Sequence, residues 1–157
     1  MDTERLLRLL KEHRAEFVVI GAAAFPVYGY ARATLDIDIF IKPELKNVKR
    51  VMRALREFGY DLMDLGPEDF LENKILIRQY VVEADFHPFV KGLGFDDAWQ
   101  NRIEAKFGNT QVFFPSLDDM IKMKKAAGRA KDKEDLKVLN EIKRRSRPLR
   151  HVKRRPS

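Results

Sequence analysis

The stretch Leu35-Asp36-Ile37-Asp38-Ile39-Phe40-Ile41 constrains the fold more than any other part of the chain, because it alternates strictly. Successive side chains of a β-strand point to opposite faces. Leu35, Ile37, Ile39 and Ile41 therefore share one face, which needs a core to cover it. Asp36, Asp38 and Phe40 share the other, and two carboxylates at i and i+2 can reach a single site. Ahead of this strand, Phe17-Val18-Val19-Ile20 is a short apolar run, rich in β-branched residues, that stops at Gly21. Its length and content predict a buried strand. The Gly21 turn then leads into a helical start of small residues, Ala22-Ala23-Ala24, whose free backbone N–H groups suit a phosphate.

The remaining elements follow from pattern. Leu6, Leu7, Leu9 and Leu10 make one apolar face of a first helix with Asp2 or Thr3 as N-cap. Pro43 opens a second helix, in which Leu45, Val48, Met52, Leu55 and Phe58 recur at helical spacing and Gly59 stands at the C-cap. Lys74 to Gln79 and Tyr80 to His87 read as strands, the latter placing Glu83, Asp85 and His87 on one face. A short helix follows Gly94 through Trp99. Gly108-Asn109 joins the strands Arg102 to Phe107 and Thr110 to Phe114 in a hairpin. Ser116 to Asp119 forms a capping box ahead of one helix, and a last helix runs from about Asp132 to Ile142. Trp99 and the phenylalanines are expected in the core. No internal repeat is present.

Charge has to be split before it is interpreted. The 157 residues carry 31 Lys and Arg against 24 Asp and Glu, a net charge of +7. Eight of those bases, and no acid, lie in residues 142–157, which leaves 23 bases and 24 acids in residues 1–141. The chain thus divides into a near-neutral domain, 1–141, and a basic, flexible tail, 142–157, able to hold a polyanion near the domain. With no cysteine, disulfides, thiol nucleophiles and Cys-type zinc sites are excluded. Ser116, Ser146 and Ser157 lie in no Gly-x-Ser-x-Gly turn, which argues against a serine hydrolase. There is no uninterrupted apolar run of about 18 residues and no signal-peptide core, so a soluble cytoplasmic protein without membrane contact is expected.

Two adjacent anions on a strand need a cation, because like charges in low dielectric repel and one would otherwise be protonated. Oxygen-only donors suit a hard ion, Mg²⁺ or Mn²⁺, and Asp85 offers a third carboxylate for a two-metal site. Glu83 and His87 share its face, and either could be the ligand instead. The rival reading of Asp36 and Asp38 is the solvated polar face of an exposed edge strand.

The stretch VVIGAAAFPVYGYARATLDIDIFI resembles the signature of the DNA polymerase beta-like nucleotidyltransferase superfamily, in which an apolar-Gly-Gly/Ser turn precedes an Asp-apolar-Asp strand. Gly29, Arg32, Thr34, the Asp36/Asp38 pair and the late segment Lys124-Lys125-Ala126-Ala127-Gly128-Arg129-Ala130-Lys131-Asp132 resemble, more narrowly, small bacterial and archaeal nucleotidyltransferase-like proteins of toxin-antitoxin systems. The resemblance spans roughly Glu4 to Leu139. It implies a single α/β (α+β) domain with a mixed sheet, acids on one face and helices packed on the other. It also implies transfer of a nucleoside monophosphate from a nucleoside triphosphate such as ATP to an acceptor hydroxyl on RNA or protein. Asp36, Asp38 and Asp85 would be the catalytic, metal-holding acids, Gly21 and Ala22 would meet the triphosphate, and Arg32 and Thr34 would line the site. Ala22 departs from the usual Gly or Ser: it keeps the backbone donor and lacks a hydroxyl. Lys124, Arg129 and Lys131 are candidate phosphate ligands or a solvated helix face, Arg32 a structural ion-pair partner, Thr34 a strand start, and Asp132 with Asp135 an N-cap arrangement. The alternative function is a catalytically weak or inactive binding module, such as an antitoxin that neutralises its toxin partner by contact.

Overall fold

A computed structural model describes residues 2–32, 36–79 and 82–146. The order of elements is α1 (Asp2–Glu12), β1 (Phe17–Ile20), a 3₁₀ helix (Gly21–Tyr28), β2 (Asp36–Ile41), α2 (Leu45–Phe58) and α3 (Pro67–Glu72). Then come β3 (Ile75–Gln79), β4 (Val82–His87), α4 (Phe95–Gln100), β5 (Ile103–Phe107), β6 (Thr110–Phe114), α5 (Leu117–Ala127) and α6 (Ala130–Arg145).

Four strands form a mixed sheet in the order β1-β2-β4-β3, while β5 and β6 make a separate hairpin. β1 runs antiparallel to β2, and β3 antiparallel to β4. The central pair, β2 and β4, is parallel, with Asp38 opposite Asp85 and Asp36 opposite Glu83. Parallel pairing requires a long crossover, and α2, α3 and β3 provide it. An α+β domain with a mixed sheet is thus what the chain forms.

The alternating pattern of β2 explains the layering. Ile37, Ile39 and Ile41 join Phe17 and Val19 of β1 and Ala84 and Phe86 of β4 in the main core, which α1 covers with Leu6, Leu7 and Leu10 and α2 with Val48, Val51 and Leu55. The opposite face is covered at one end only. Val18, Ile20 and Phe40 pack there with Leu93, Phe95 and Ala98 in a smaller cluster. α4 therefore sits on the acid-bearing face, next to the acids rather than over them.

α2 ends as expected at Gly59, whose φ of 114° lies in the left-handed region and favours glycine. It begins two residues after Pro43, because Glu44 stays extended and serves as the N-cap. Asn47 in its first turn is buried and binds backbone on both sides of the β1–β2 pair. Its Oδ1 accepts from the Glu16 N–H at 2.7 Å, and its Nδ2 donates to the carbonyls of Glu16 and Lys42, both at 3.0 Å.

Ser116 caps α5 by accepting from the Asp119 N–H at 3.1 Å. α6 starts at Ala130, earlier than the expected Asp132, because Asp132 accepts the Arg129 N–H at 3.1 Å from inside the first turn. It also runs past Ile142 to Arg145, so the first residues of the basic segment are its last turn. Arg144 and Arg145 pair there with Glu141, and cations suit a helix C-terminus. The remainder of the basic segment, from residue 147, lies outside the described residues. Phe89, expected in the core, is exposed, since it follows Pro88 on the loop leaving β4.

Candidate active site

The acid-bearing face of the sheet carries Asp36 and Asp38 from β2 and Glu83, Asp85 and His87 from β4. β3 adds Arg78, which lies opposite Glu83 in the antiparallel register. Pairing of β2 with β4 sets Asp38 directly beside Asp85, so residues 47 positions apart in sequence become neighbours because two parallel strands are in register.

Each carboxylate has a partner. His87 Nε2 is 2.8 Å from Asp38 Oδ1. Arg78 donates from Nη1 to Asp85 Oδ1 at 2.6 Å, from Nη2 to Asp36 Oδ2 at 3.4 Å, and its Nε is 3.2 Å from Glu83 Oε2. These carboxylates hold the guanidinium above its ordinary pKa, the hydrogen bond that Arg78 donates to Asp85 contributing most. Asp85 is 6% exposed, whereas the side chains of Asp36 and Asp38 are about one-third exposed. Asp85 is the acid deprived of water, and it receives the shortest of the three contacts from Arg78.

Gly21 closes the site from the side of β1. Its φ is 70°, and a Cβ placed on it would stand 2.7 Å from Asp38 Oδ2. Only glycine accommodates both the left-handed backbone and this approach. No side chain caps the start of the 3₁₀ helix that follows.

A cleft of about 360 Å³ brings most of the expected residues together. Gly21, Asp36, Asp38, Asp85, Lys124 and Arg129 line it. Ala22 and Arg32 are not among its lining residues, and Thr34 lies outside the described residues. Arg32 instead pairs with buried Asp135 and lies over the Phe25 ring, 5.4 Å from its centroid.

Lys124 and Arg129 reach the cleft with their charges already engaged. Lys124 Nζ lies 3.2 Å from Asp132 Oδ1 and 3.0 Å from Asp135 Oδ2, and Arg129 Nε 2.6 Å from Asp132 Oδ2. Hydrogen bonds from Arg129 and Lys124 hold the Asp132 carboxyl well below the usual carboxylate range, although burial opposes this. At Asp135 burial pushes the pKa up, and the hydrogen bonds from Arg32 and Lys124 more than offset it, so the net shift is downward. Asp132 therefore stands in the first turn of α6 and bonds back to the N-cap, which is Arg129 rather than Asp132 as expected, and it also anchors two bases. Asp135 has no part in the cap and joins α6 to the segment before β2.

Lys74, Lys91 and Lys131 also line the cleft, and among the described residues none of them has an ion-pair partner. Sequence reading passed over Lys74, Lys91 and Arg78. For Arg78 a signal existed: a lone Arg among Ile and Leu on a strand adjoining an acidic face.

The donors suit a hard divalent cation in kind. Asp36, Asp38 and Asp85 offer only oxygen, from adjacent strands, at one end of one cleft. In the arrangement seen, no group of three or more His, Asp or Glu side chains among the described residues converges closely enough to hold an ion. Arg78 and His87 hold the carboxylates where they are.

Residues 2–146 match the family described as nucleotidyltransferase of unknown function (DUF6036). The chain belongs to this family. The match covers all of the described elements. No curated protein matches the chain. No helix among the described residues is long and apolar enough to cross a membrane.

Proposed function

We propose that this nucleotidyltransferase-family chain is a metal-dependent enzyme that moves a nucleoside monophosphate from a nucleoside triphosphate to an acceptor hydroxyl on RNA or on a protein. The observation that carries this reading is the in-register pairing of Asp38 with Asp85, facing the Gly21 turn in one cleft. Asp36, Asp38 and Asp85 would hold Mg²⁺ or Mn²⁺. Such an ion neutralises the triphosphate and stabilises the charge that develops during in-line displacement.

The chain's own residues supply the rest. The Gly21 backbone lets the triphosphate approach Asp38 without a side chain between them. Lys74, Lys91 and Lys131 place positive charge around the cleft where a polyphosphate would lie, whereas Lys124 ties α5 to α6 and Arg129 is engaged by Asp132 at the start of α6. Asp85, buried beside Asp38, is positioned to accept the acceptor hydroxyl's proton. The acceptor oxygen attacks the α-phosphorus and pyrophosphate leaves. The basic segment after Arg145 supplies charge for a polyanionic acceptor.

A second reading is favoured by Arg78, which engages three of the face's carboxylates at once. In that reading the domain is a contact module, such as an antitoxin that neutralises a toxin partner without transferring anything. Incubation with each labelled nucleoside triphosphate, Mg²⁺ and candidate RNA or protein acceptors separates the two. The wild-type chain should label an acceptor and the Asp36→Asn/Asp38→Asn variant should not. Equal labelling by both proteins would remove the acids from the chemistry, and no labelling by either would favour the contact module.

A further inference from the structure

Arg78 extends from β3, the edge strand, towards β4 and β2. Its three nitrogens meet three carboxylates, one each: Nη1 with Asp85 at 2.6 Å, Nε with Glu83 at 3.2 Å and Nη2 with Asp36 at 3.4 Å. Two of these acids belong to the set proposed to hold metal, and Glu83 does not. A planar guanidinium is suited to bridging several carboxylates in this way.

The burial of the partners is unequal. The Asp85 side chain is 9% exposed and needs a counter-charge, because a buried carboxylate without one is strongly disfavoured. The Arg78 side chain is 40% exposed, as is that of Glu83. Arg78 can therefore turn towards solvent without being desolvated elsewhere. Because it lies opposite Glu83 in the β3–β4 register, it keeps that carboxylate as a neighbour when it does.

We infer that Arg78 is a resident counter-cation that competes with a divalent metal ion for Asp36 and Asp85, and that Glu83 retains the guanidinium when the metal displaces it. This rests on the reading of Asp36, Asp38 and Asp85 as the metal-holding acids. Arg78 is accordingly a positioning residue with two arrangements. In one it bridges all three carboxylates. In the other it pairs with Glu83 alone, and Asp36 and Asp85 are released towards the ion. The two side chains then have opposite effects on metal affinity.

The test is calorimetric titration of the full chain with MnCl₂ at low ionic strength, together with thermal unfolding without metal. Arg78→Gln removes a unit charge a few ångströms from the ion and should tighten Mn²⁺ binding by about tenfold or more, while lowering the metal-free melting temperature. Glu83→Gln leaves the displaced guanidinium uncompensated beside the ion and should weaken binding by about threefold, less because Glu83 is partly exposed and screened. Asp38→Asn should abolish binding in every background. If Arg78→Gln binds Mn²⁺ no more tightly than wild type while Asp38→Asn abolishes it, the competition is refuted and the metal site stands. If Asp38→Asn binds as wild type does, the metal site fails and the competition with it. Should Arg78→Gln not fold, Arg78→Lys replaces the fork with a point charge able to hold fewer carboxylates, so it should also bind Mn²⁺ more tightly than wild type, and equal affinity overturns the inference.

Discussion

The backbone of Gly21 lies against the carboxylate of Asp38 so closely that a methyl group on the glycine would stand 2.7 Å from Oδ2. Ile20, the residue before it, is the register partner of Asp38 across the β1–β2 pair. The turn and the acid are thus held to each other by strand pairing, and the left-handed conformation of Gly21 is what lets the chain leave β1 without blocking the cleft. Gly21→Ala should cost about 1–2 kcal/mol for the left-handed backbone alone. It should also push Asp38 off His87, so chemical denaturation should show the stability loss and Mn²⁺ titration a weaker metal response. Wild-type stability together with wild-type metal binding would refute the close approach.

Asn47 fastens the ends of the β1–β2 pair through its three hydrogen bonds to Glu16 and Lys42. Asn47→Ala would leave a buried backbone donor short of a partner, for which a loss of roughly 1–3 kcal/mol is expected. Asn47→Asp keeps the acceptor but loses the donor, and should also destabilise. Both are read from urea unfolding midpoints at constant slope.

Acid should weaken the contacts between α5 and α6 below about pH 4. The Asp132 and Asp135 carboxyls are depressed in the folded chain, so the stability they contribute is fully present above the unfolded value of about 3.9 and disappears as pH falls through their lower folded values. Asp132→Asn should therefore flatten the decline of melting temperature below about pH 4. An unchanged acid limb would show that the network with Lys124, Arg129 and Arg32 adds nothing in this range.

Two tyrosines should titrate late. Burial pushes the hydroxyls of both Tyr28 and Tyr60 up to about 12. Tyr28 donates to the Pro115 carbonyl at 2.7 Å and Tyr60 to that of Val82 at 2.6 Å. A folded pKa above the unfolded value of about 10 means that the stabilisation is complete below pH 10 and is lost as pH rises through 12. Ultraviolet titration should resolve this class, and Tyr60→Phe should remove part of it at a cost of about 1 kcal/mol.

Truncation after Ser146 removes five of the eight bases of residues 142–157 and spares α6. If the basic segment holds an RNA acceptor, affinity should fall, and the dependence of binding on salt should become shallower by up to about 3.5 in slope for a single strand. Unchanged affinity would leave the lysines of the cleft as the contact with RNA.

What the sequence alone determined were the features whose cause lies within a few residues. The alternation of Leu35 to Ile41 predicts β2 and the shared face of Asp36 and Asp38, because the strand period is a property of the backbone. Helical spacing and Gly59 predict α2 and its end, and Gly108-Asn109 predicts the β5–β6 turn. The acids of the candidate site were therefore legible before any contact was known.

Only the tertiary structure decided what surrounds them. Parallel pairing of β2 with β4 makes Asp85 the neighbour of Asp38, and β3 beside β4 brings Arg78 to three acids. Lys124 and Arg129, eligible from their composition as phosphate ligands, are instead engaged by Asp132 and Asp135, while Lys74 and Lys91 line the cleft. Phe40 shares the face of the acids yet is buried, because α4 covers that end of the sheet. Each of these outcomes depends on which charge or ring is adjacent in space. A sequence pattern states the period of a strand or helix, but the partner of a charge is chosen by strand order and register, and those are set by burial of the whole core.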